Sequence, residues 1–384
     1  MTTDPFKEYI KQSEPGKREK GYVWHTAIGL QAVDGLKTSK YLIDTAIQSI
    51  EGNITIDEAG ELLNNYYKEN PKQNENDRTE EADKVAVRIA KLLSERAFSF
   101  TPNEYISIHK KLFLGIYGHA GKIRDYNITK KEWVLNGASV LYGSASELRA
   151  TLEYDFSEEK KFSYKNLSME EIIHHLAWFV SRLWQIHVFG EGNTRTTAVF
   201  FIKYVRTLGF DATNDIFAEN AWYFRNALVR ANYNDLKHGV HETTEYLELF
   251  LRNLLLDETN ELHNRTMHIS GMFDMKPKAG LEDQKADIED QKADIEGRKV
   301  DIEEAKTNIH DKMENFMSKV SKKTIDHIML IYDQYGNETF FGRSNVEAIT
   351  GLKPTRASEL LKLLVHAGII QPVKGHGKGK YRFY

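Results

Sequence analysis

The chain has 384 residues, no cysteine and a net charge of -4, with 41% hydrophobic and 28% charged residues. That length exceeds one ordinary domain, and the lack of cysteine excludes disulfides, thiolate metal sites and cysteine nucleophiles together. No apolar run approaches the ~20 residues of a membrane span, and the polar start MTTDPFKEYIKQSEPGKREK has no apolar signal core, so a cytoplasmic protein with no membrane partner is expected.

Residues 1–80 read as a helical region. Ser39 is placed to cap a helix through Gln48, with Leu42, Ile43, Ala46, Ile47 and Ile50 as its apolar stripe, ending at Glu51-Gly52-Asn53. Thr55-Ile56-Asp57-Glu58 has the form of the next helix cap, with Leu62, Leu63 and Tyr66 inward. PKQNENDRTEEAD, 71–83, is polar and reads as a connector. Helical patterns follow over 84–115: Val85, Val87, Ile89, Leu92 and Leu93, then Ile106, Ile108, Leu112 and Phe113 after a start at Thr101-Pro102. Gly118 and Gly121 end that block. Residues 132–142 then read as two short strands about an Asn136-Gly137 turn, a strong hairpin signal.

At 184–197 the sequence is WQIHVFGEGNTRTT. Ahead of it Ile172, His175, Leu176, Phe179, Val180, Leu183 and Ile186 recur at three- and four-residue steps, so a buried helix delivers His187 to a turn. Behind it Ala198, Val199, Phe201, Ile202 and Val205 predict a second helix, whose first turn lies near residues 193–196. Unpaired N–H groups at a helix start, with glycines allowing close approach and Arg195 adding a charged fork, suit phosphate oxygens. Glu191 offers hard oxygen to Mg²⁺, and His187 can accept a proton near neutral pH. Alone, a histidine before an aromatic is commonly a core residue and Glu-Gly-Asn commonly a turn. Their order after an apolar helix is what points to phosphate chemistry.

The stretch HVFGEGNTRTTAVF resembles the signature of the Fic (filamentation induced by cAMP) family, H-P-F-x-[D/E]-G-N-G-R-x-x-R. The resemblance implies transfer of AMP, or of another phosphate-containing group, from a nucleotide to a Ser, Thr or Tyr hydroxyl of a target protein. It implies that His187 is the general base, with Asn193 and Arg195 as further catalytic residues and Glu191 as the Mg²⁺ ligand. Nucleotide binding would fall to Gly190, Gly192, Asn193, Thr194 and Arg195, with Gly192 and Asn193 forming the α-phosphate hole, Arg195 meeting the β-phosphate region and Phe189 anchoring the loop. Val188, Thr194 and Ala198 depart from the pattern, in place of the proline, the second glycine and the second arginine. The last change loosens the hold on a triphosphate, so donors other than ATP come into view.

Two further stretches share the resemblance. Residues 121–126, GKIRDY, resemble the G-x-x-R segment ahead of the family's flap, which makes 132–142 a β-hairpin flap. Val134, Leu135, Asn136 and Gly137 would then pair with target backbone by strand addition. IQSIEGNIT, 47–55, is similar to the family's inhibitory S/T-x-x-x-E-G/N segment and makes Glu51 an inhibitory carboxylate, although Ile47 stands at the Ser/Thr position. The alternative for Glu51 is a plain helix end.

Beyond the loop, 217–234 and 243–256 each predict a helix, and Tyr223, Asn226 and Arg230 share one face, either towards a nucleobase or as surface decoration. From Leu281 an isoleucine recurs every seven residues, at Ile288, Ile295, Ile302 and Ile309, but the second apolar heptad position is missing. This is a charged helical spacer, lightly packed or joining a homodimer. The final segment orders helix, helix, turn, helix and hairpin and resembles a winged helix-turn-helix. Its second long helix, from Lys353, would meet DNA, and Lys374, Lys378, Lys380 and Arg382 would meet phosphates. Residues 319–384 hold eleven Lys or Arg against five Asp or Glu.

The expected protein is therefore all-α: an N-terminal, inhibitory or plain helical region (1–80), a Fic-type core with a β-hairpin flap (81–256), a charged spacer (257–318) and a winged-helix domain (319–384). The expected function is protein adenylyltransfer from ATP. The rivals are a nucleotide-sensing, DNA-binding regulator and a Fic-type transferase with another donor.

Overall fold

The computed structural model describes residue 6 and residues 15–71, 77–212, 216–270, 322–335, 340–367, 369–373 and 379–383. By its contacts the chain divides into two compact units, 1–295 and 296–384.

In the first unit, α1 (Pro15–Gly29) runs into a 3-10 turn, Leu30–Asp34. Next come α2 (Lys40–Glu51), α3 (Ile56–Glu69), α4 (Thr79–Ser94) and α5 (Pro102–Phe113). Local side-chain chemistry starts these helices. Ser39 accepts from Leu42 N, Thr55 and Glu58 close a reciprocal capping box, and Thr101 accepts from Glu104 N just before Pro102. Helix α4 begins at Thr79, earlier than the apolar pattern indicates. Glu80 and Glu81, placed in a connector by their polarity, sit in its first turn, where the helix dipole favours negative charge.

The unit continues with α6 (Leu148–Lys161), α7 (Met169–Ile186), α8 (Asn193–Thr207), α9 (Ile216–Arg230), α10 (Glu245–Leu256) and the short α11 (Asn264–Met267). Helix α8 is buried continuously from Asn193 to Val205, and α4, α5 and α7 pack around it. Its polar N-terminal turn is thereby carried into the protein. Helix α9 kinks at Asn220 (φ -127°, ψ 29°). Tyr223, Asn226 and Arg230 are all buried rather than facing a ligand or solvent: Tyr223 donates to the Tyr246 carbonyl at 3.2 Å and Asn226 to Asn264 Oδ1 at 2.9 Å.

The expected hairpin forms as a turn without a strand ladder. Asn136 and Gly137 both have positive φ (52° and 84°), and Glu132 N donates to the Ala138 carbonyl at 2.9 Å. The tip is a 3-10 turn, Trp133–Leu135, and the flanks carry no strand. Val134 and Leu135 are buried, and the Val134 carbonyl already accepts from Ile269 N at 3.0 Å. With the neighbours Val134 and Leu135 both buried, this segment does not alternate inward and outward as an extended edge does.

In the second unit α12 (Lys322–Tyr335) is followed by β1 (Phe341–Gly342), α13 (Arg343–Thr350), α14 (Pro354–His366), β2 (Ile370–Pro372) and β3 (Lys380–Phe383). The strands form one antiparallel sheet in the order β1-β3-β2, with Phe341 opposite Tyr381 and Ile370 opposite Phe383. Ile328, Ile331, Phe341, Leu361, Leu364 and Phe383 form its own core. The heptad repeat, and with it the dimer expectation, lies outside the described residues, as do Lys374 and Lys378. Among the described residues no helix is long and apolar enough to cross a membrane.

Candidate active site

Helix α7 delivers the histidine. Ser168 and Glu171 close a capping box at its start, and Ile173, Leu176, Val180, Leu183 and Trp184 turn inward. The helix ends at His187, which adopts the left-handed conformation (φ 50°, ψ 58°), uncommon for a residue with a Cβ. Arg124 holds it there: its Nε donates to the His187 carbonyl at 2.7 Å, an Nη to the Gly143 carbonyl at 2.6 Å, and its backbone N to the Val188 carbonyl at 3.0 Å.

His187 is buried, with the Tyr142 ring 4.3 Å away. Its Nδ1 lies 3.3 Å from the Trp184 carbonyl, which can only accept, so Nδ1 carries the hydrogen and Nε2 keeps its lone pair. Burial, with Lys130 adding to it, pushes its pKa well below the usual histidine value against the opposing Trp184 hydrogen bond. The ring is therefore neutral at pH 7, the form that accepts a proton.

The loop itself is locked from within. Phe189 stacks on His109 at 3.7 Å between centroids, and the Asn193 amide clasps the Phe189 backbone, accepting from its N at 2.9 Å and donating to its O at 2.7 Å. Asn193 therefore shapes the loop, and its amide is not turned to a ligand. His109 accepts from Gly121 N on Nδ1 (2.9 Å), so its Nε2–H donates to the Glu191 carbonyl (3.0 Å). The Thr194 hydroxyl accepts from the Trp184 indole at 3.0 Å, which turns this β-branched side chain into the protein. At Gly190 a Cβ would lie 2.5 Å from the Tyr126 hydroxyl, and at Gly192 (φ 76°) it would meet the Phe113 ring at 2.4 Å. A side chain at Gly190 would have to displace the Tyr126 hydroxyl, and at Gly192 the positive φ favours glycine as well as the space.

No side chain caps α8, which starts after Gly192. Among the described residues the N–H groups of 192–195 meet no acceptor, so the positive end of the central helix is unsatisfied beside His187. Glu191 is the exposed member of the loop, with its carboxylate 3.7 Å from Lys130 Nζ. Among the described residues no cluster of three or more His, Cys, Asp or Glu could hold a metal. One accessible carboxylate, already attracting an ammonium, fits a Mg²⁺ ion only if phosphate oxygens complete its coordination.

Arg195 departs most from its expected place. It is fully buried, with Nε 2.8 Å from Asp34 Oδ2 and off the hydrogen-bonding direction. One Nη donates to Glu81 at 2.8 Å and the other to Gln31 at 3.0 Å, while the guanidinium lies 4.8 Å from the Phe113 ring centre. Glu81 also receives a bidentate pair from Arg78 and the Tyr117 hydroxyl at 2.6 Å. Burial is the largest influence and raises the pKa of both acids, yet for Asp34 the charges of Arg195, Arg78, Lys130 and Arg225 together outweigh it. For Glu81 the hydrogen bonds from Arg78 and Tyr117 and the charges of Arg195 and Arg78 together do, so both lie below the usual carboxylate value and stay ionised. Arg195 thus ties the 3-10 turn and α4 to α8, with both Nη atoms hydrogen-bonded and Nε facing Asp34 as an ion pair. Glu51 lies elsewhere: it ends α2 at the surface and pairs with Lys17 at 2.8 Å. The carboxylates that reach Arg195 are Asp34 and Glu81.

Sequence reasoning brought together His187, Phe189, Gly190, Glu191, Gly192, Asn193 and Thr194. It missed Asp34, Glu81, His109 and Lys130. For Glu81 a signal was available, since Glu81, Val85 and Ile89 recur at four-residue steps once the helix is started at Thr79.

Comparison with known proteins gives the family of this region. Residues 99–205 match the model of the Fic/DOC family. Twelve chains among solved structures match, including a Fic family protein from Desulfovibrio desulfuricans G20 at 11% identity and a TM-score of 0.42, over 100% of this chain and 91% of that one. No curated protein matches. Residues 99–205, which include the whole 187–195 loop, are a Fic/DOC family domain.

Proposed function

We propose that the chain transfers AMP from ATP to a Ser, Thr or Tyr hydroxyl of a target protein. The observation that carries this reading is a neutral, buried His187 with a free Nε2 lone pair on the same short loop as the uncapped N-terminus of α8. In this mechanism His187 takes the proton of the target hydroxyl, and the hydroxyl oxygen attacks the α-phosphorus. The bond from that phosphorus to the bridging oxygen breaks, and pyrophosphate leaves. The unpaired N–H groups of 192–195 and the α8 dipole stabilise the charge that develops on the α-phosphoryl oxygens. Lys130, beside Glu191, adds positive charge to the same region. When bound, Mg²⁺ on Glu191 would neutralise the phosphates. Arg195 acts by position, holding the first turn of α8 through Asp34 and Glu81. His187→Ala should abolish transfer of label from ATP carrying it at the α-phosphorus while leaving the circular dichroism spectrum intact. Transfer retained by that variant removes His187 from the mechanism.

One observation favours a second reading. An arginine held by two carboxylates is not poised to grip a triphosphate, which suits a domain that senses a nucleotide without transferring it. In the second unit the order helix, strand, helix, helix and two strands, with β3 between β1 and β2, supports a winged helix-turn-helix. Its helix α14 has an exposed Lys353 just ahead of it and exposed Arg356 and Lys362 on it, which suit DNA phosphates. A gel shift with the full chain, weakened by Lys353→Glu with Lys362→Glu, tests this reading; no shift at low salt rejects it.

A further inference from the structure

Helix α7 carries an exposed stripe as well as a buried one. His174, Trp178, Arg182 and Gln185 recur every three or four residues and form one wall of a groove of about 570 Å³. The start of α10 and the loop before it, with Glu242, Glu245 and Glu248, form the other. The stripe stops two residues short of His187. Gln185 donates to the Leu141 carbonyl at 3.1 Å and accepts from Gly143 N at 3.3 Å, so this end of the groove joins the segment whose Tyr142 covers the imidazole.

Two features favour an occupant. The walls present three carboxylates against Arg182, which is already placed over the Trp178 ring at 5.5 Å and 3.9 Å from Asp155. Glu248 accepts from His174 at 2.7 Å and from the Thr244 hydroxyl at 2.6 Å, and Glu242 accepts from the Asn234 amide at 2.8 Å, while the Glu245 carboxylate has no partner among the described residues. Acids at a helix start suit the dipole, but three whole charges exceed the half charge that the dipole supplies. In addition, Trp178 is 46% exposed and Leu141, at the loop end, 85% exposed. Large apolar side chains beside an excess of negative charge suit a chain with both basic and apolar residues.

We propose that this groove docks a basic, extended segment of the protein that receives the transferred group; this rests on the transferase reading above. The stripe from His174 to Gln185 is about 16 Å long at the helical rise. An extended chain covers that in about five residues. The groove thus selects an arginine or lysine, with a neighbouring apolar residue, about five to seven residues from the modified hydroxyl.

The test uses the full chain and fluorescein-labelled peptides about ten residues long, a length that spans groove and loop. Two arginines and a leucine stand at one end and a serine at the other; a control peptide has glutamates for the arginines. Fluorescence polarisation without nucleotide should show binding of the basic peptide alone, weakening as salt screens the acids. Glu242→Lys with Glu245→Lys, and separately Trp178→Ala, should each weaken it at least about tenfold with unchanged thermal melting. Equal binding of both peptides, or unchanged affinity in the folded double variant, overturns the proposal. His187→Ala should bind the peptide like the parent chain. Failure of transfer with peptide binding intact therefore counts against the transferase reading alone, and failure of peptide binding with transfer intact against the groove alone.

Discussion

His109 holds the loop by a hydrogen-bond pattern that only the neutral ring can make. Its Nδ1 accepts from Gly121 N, so a proton there would face another donor, and burial lowers its pKa to about 3 from 6.5. The sign follows from linkage. Between those two values the unfolded chain binds the extra proton and the folded chain does not, so stability falls as pH drops below 6.5. The loss reaches at most roughly 5 kcal/mol near pH 3. Denaturant melts between pH 7 and 4 should show the decline, and His109→Phe, which keeps the ring on Phe189, should flatten it; an equally steep decline in that variant would assign it to other groups. Arg195 gives a second test at this scale. Removing it leaves Asp34 and Glu81 facing each other without their shared cation, so Arg195→Ala should cost about 3–5 kcal/mol in urea unfolding. A near-neutral effect would return Arg195 to ligand binding.

The junction of α7 and α8 concentrates the constraints on the elements. Gly192 must adopt positive φ and pass within a Cβ's reach of Phe113, so Gly192→Ala should destabilise the domain by roughly 2–4 kcal/mol. The N-terminus of α8 should move with it, and nucleotide affinity should fall further than stability alone explains. Isothermal titration with ATP and Mg²⁺ against chemical denaturation of the same variant separates the two, and affinity retained in a destabilised protein would argue that α8 does not receive the phosphates. This junction was legible in the sequence because an apolar period ran into Glu-Gly-Asn and restarted. Helix starts at Ser39, Thr55 and Thr101 are local events of a few residues and were legible too. At the hairpin Asn136-Gly137 turns the chain where its sequence signals, while its neighbours Val134 and Leu135 are buried in the core and form no strand ladder.

At the scale of the whole molecule, illegibility follows contact distance. Arg195 meets Gln31 and Glu81 across sequence separations of 164 and 114 residues, and no periodicity within a window of one helix reports such pairs. The loop's chemical parts lay within a few consecutive residues and could be read; the surroundings that set their protonation, occupy the arginine and aim the imidazole came from the 3-10 turn, α4, α5 and the loops that carry Arg124, Lys130 and Tyr142. That division also determines what the account stands on. If His187 and the start of α8 form one nucleotidyl-transfer site, labelled ATP reports it directly. Incubated with the full chain, Mg²⁺ and an acceptor protein, ATP labelled at the α-phosphorus should leave its label on protein, ATP labelled at the γ-phosphorus should not, and His187→Ala should leave neither. Label carried over from the γ-phosphorus, or an unchanged α-label in the histidine variant, would contradict the account.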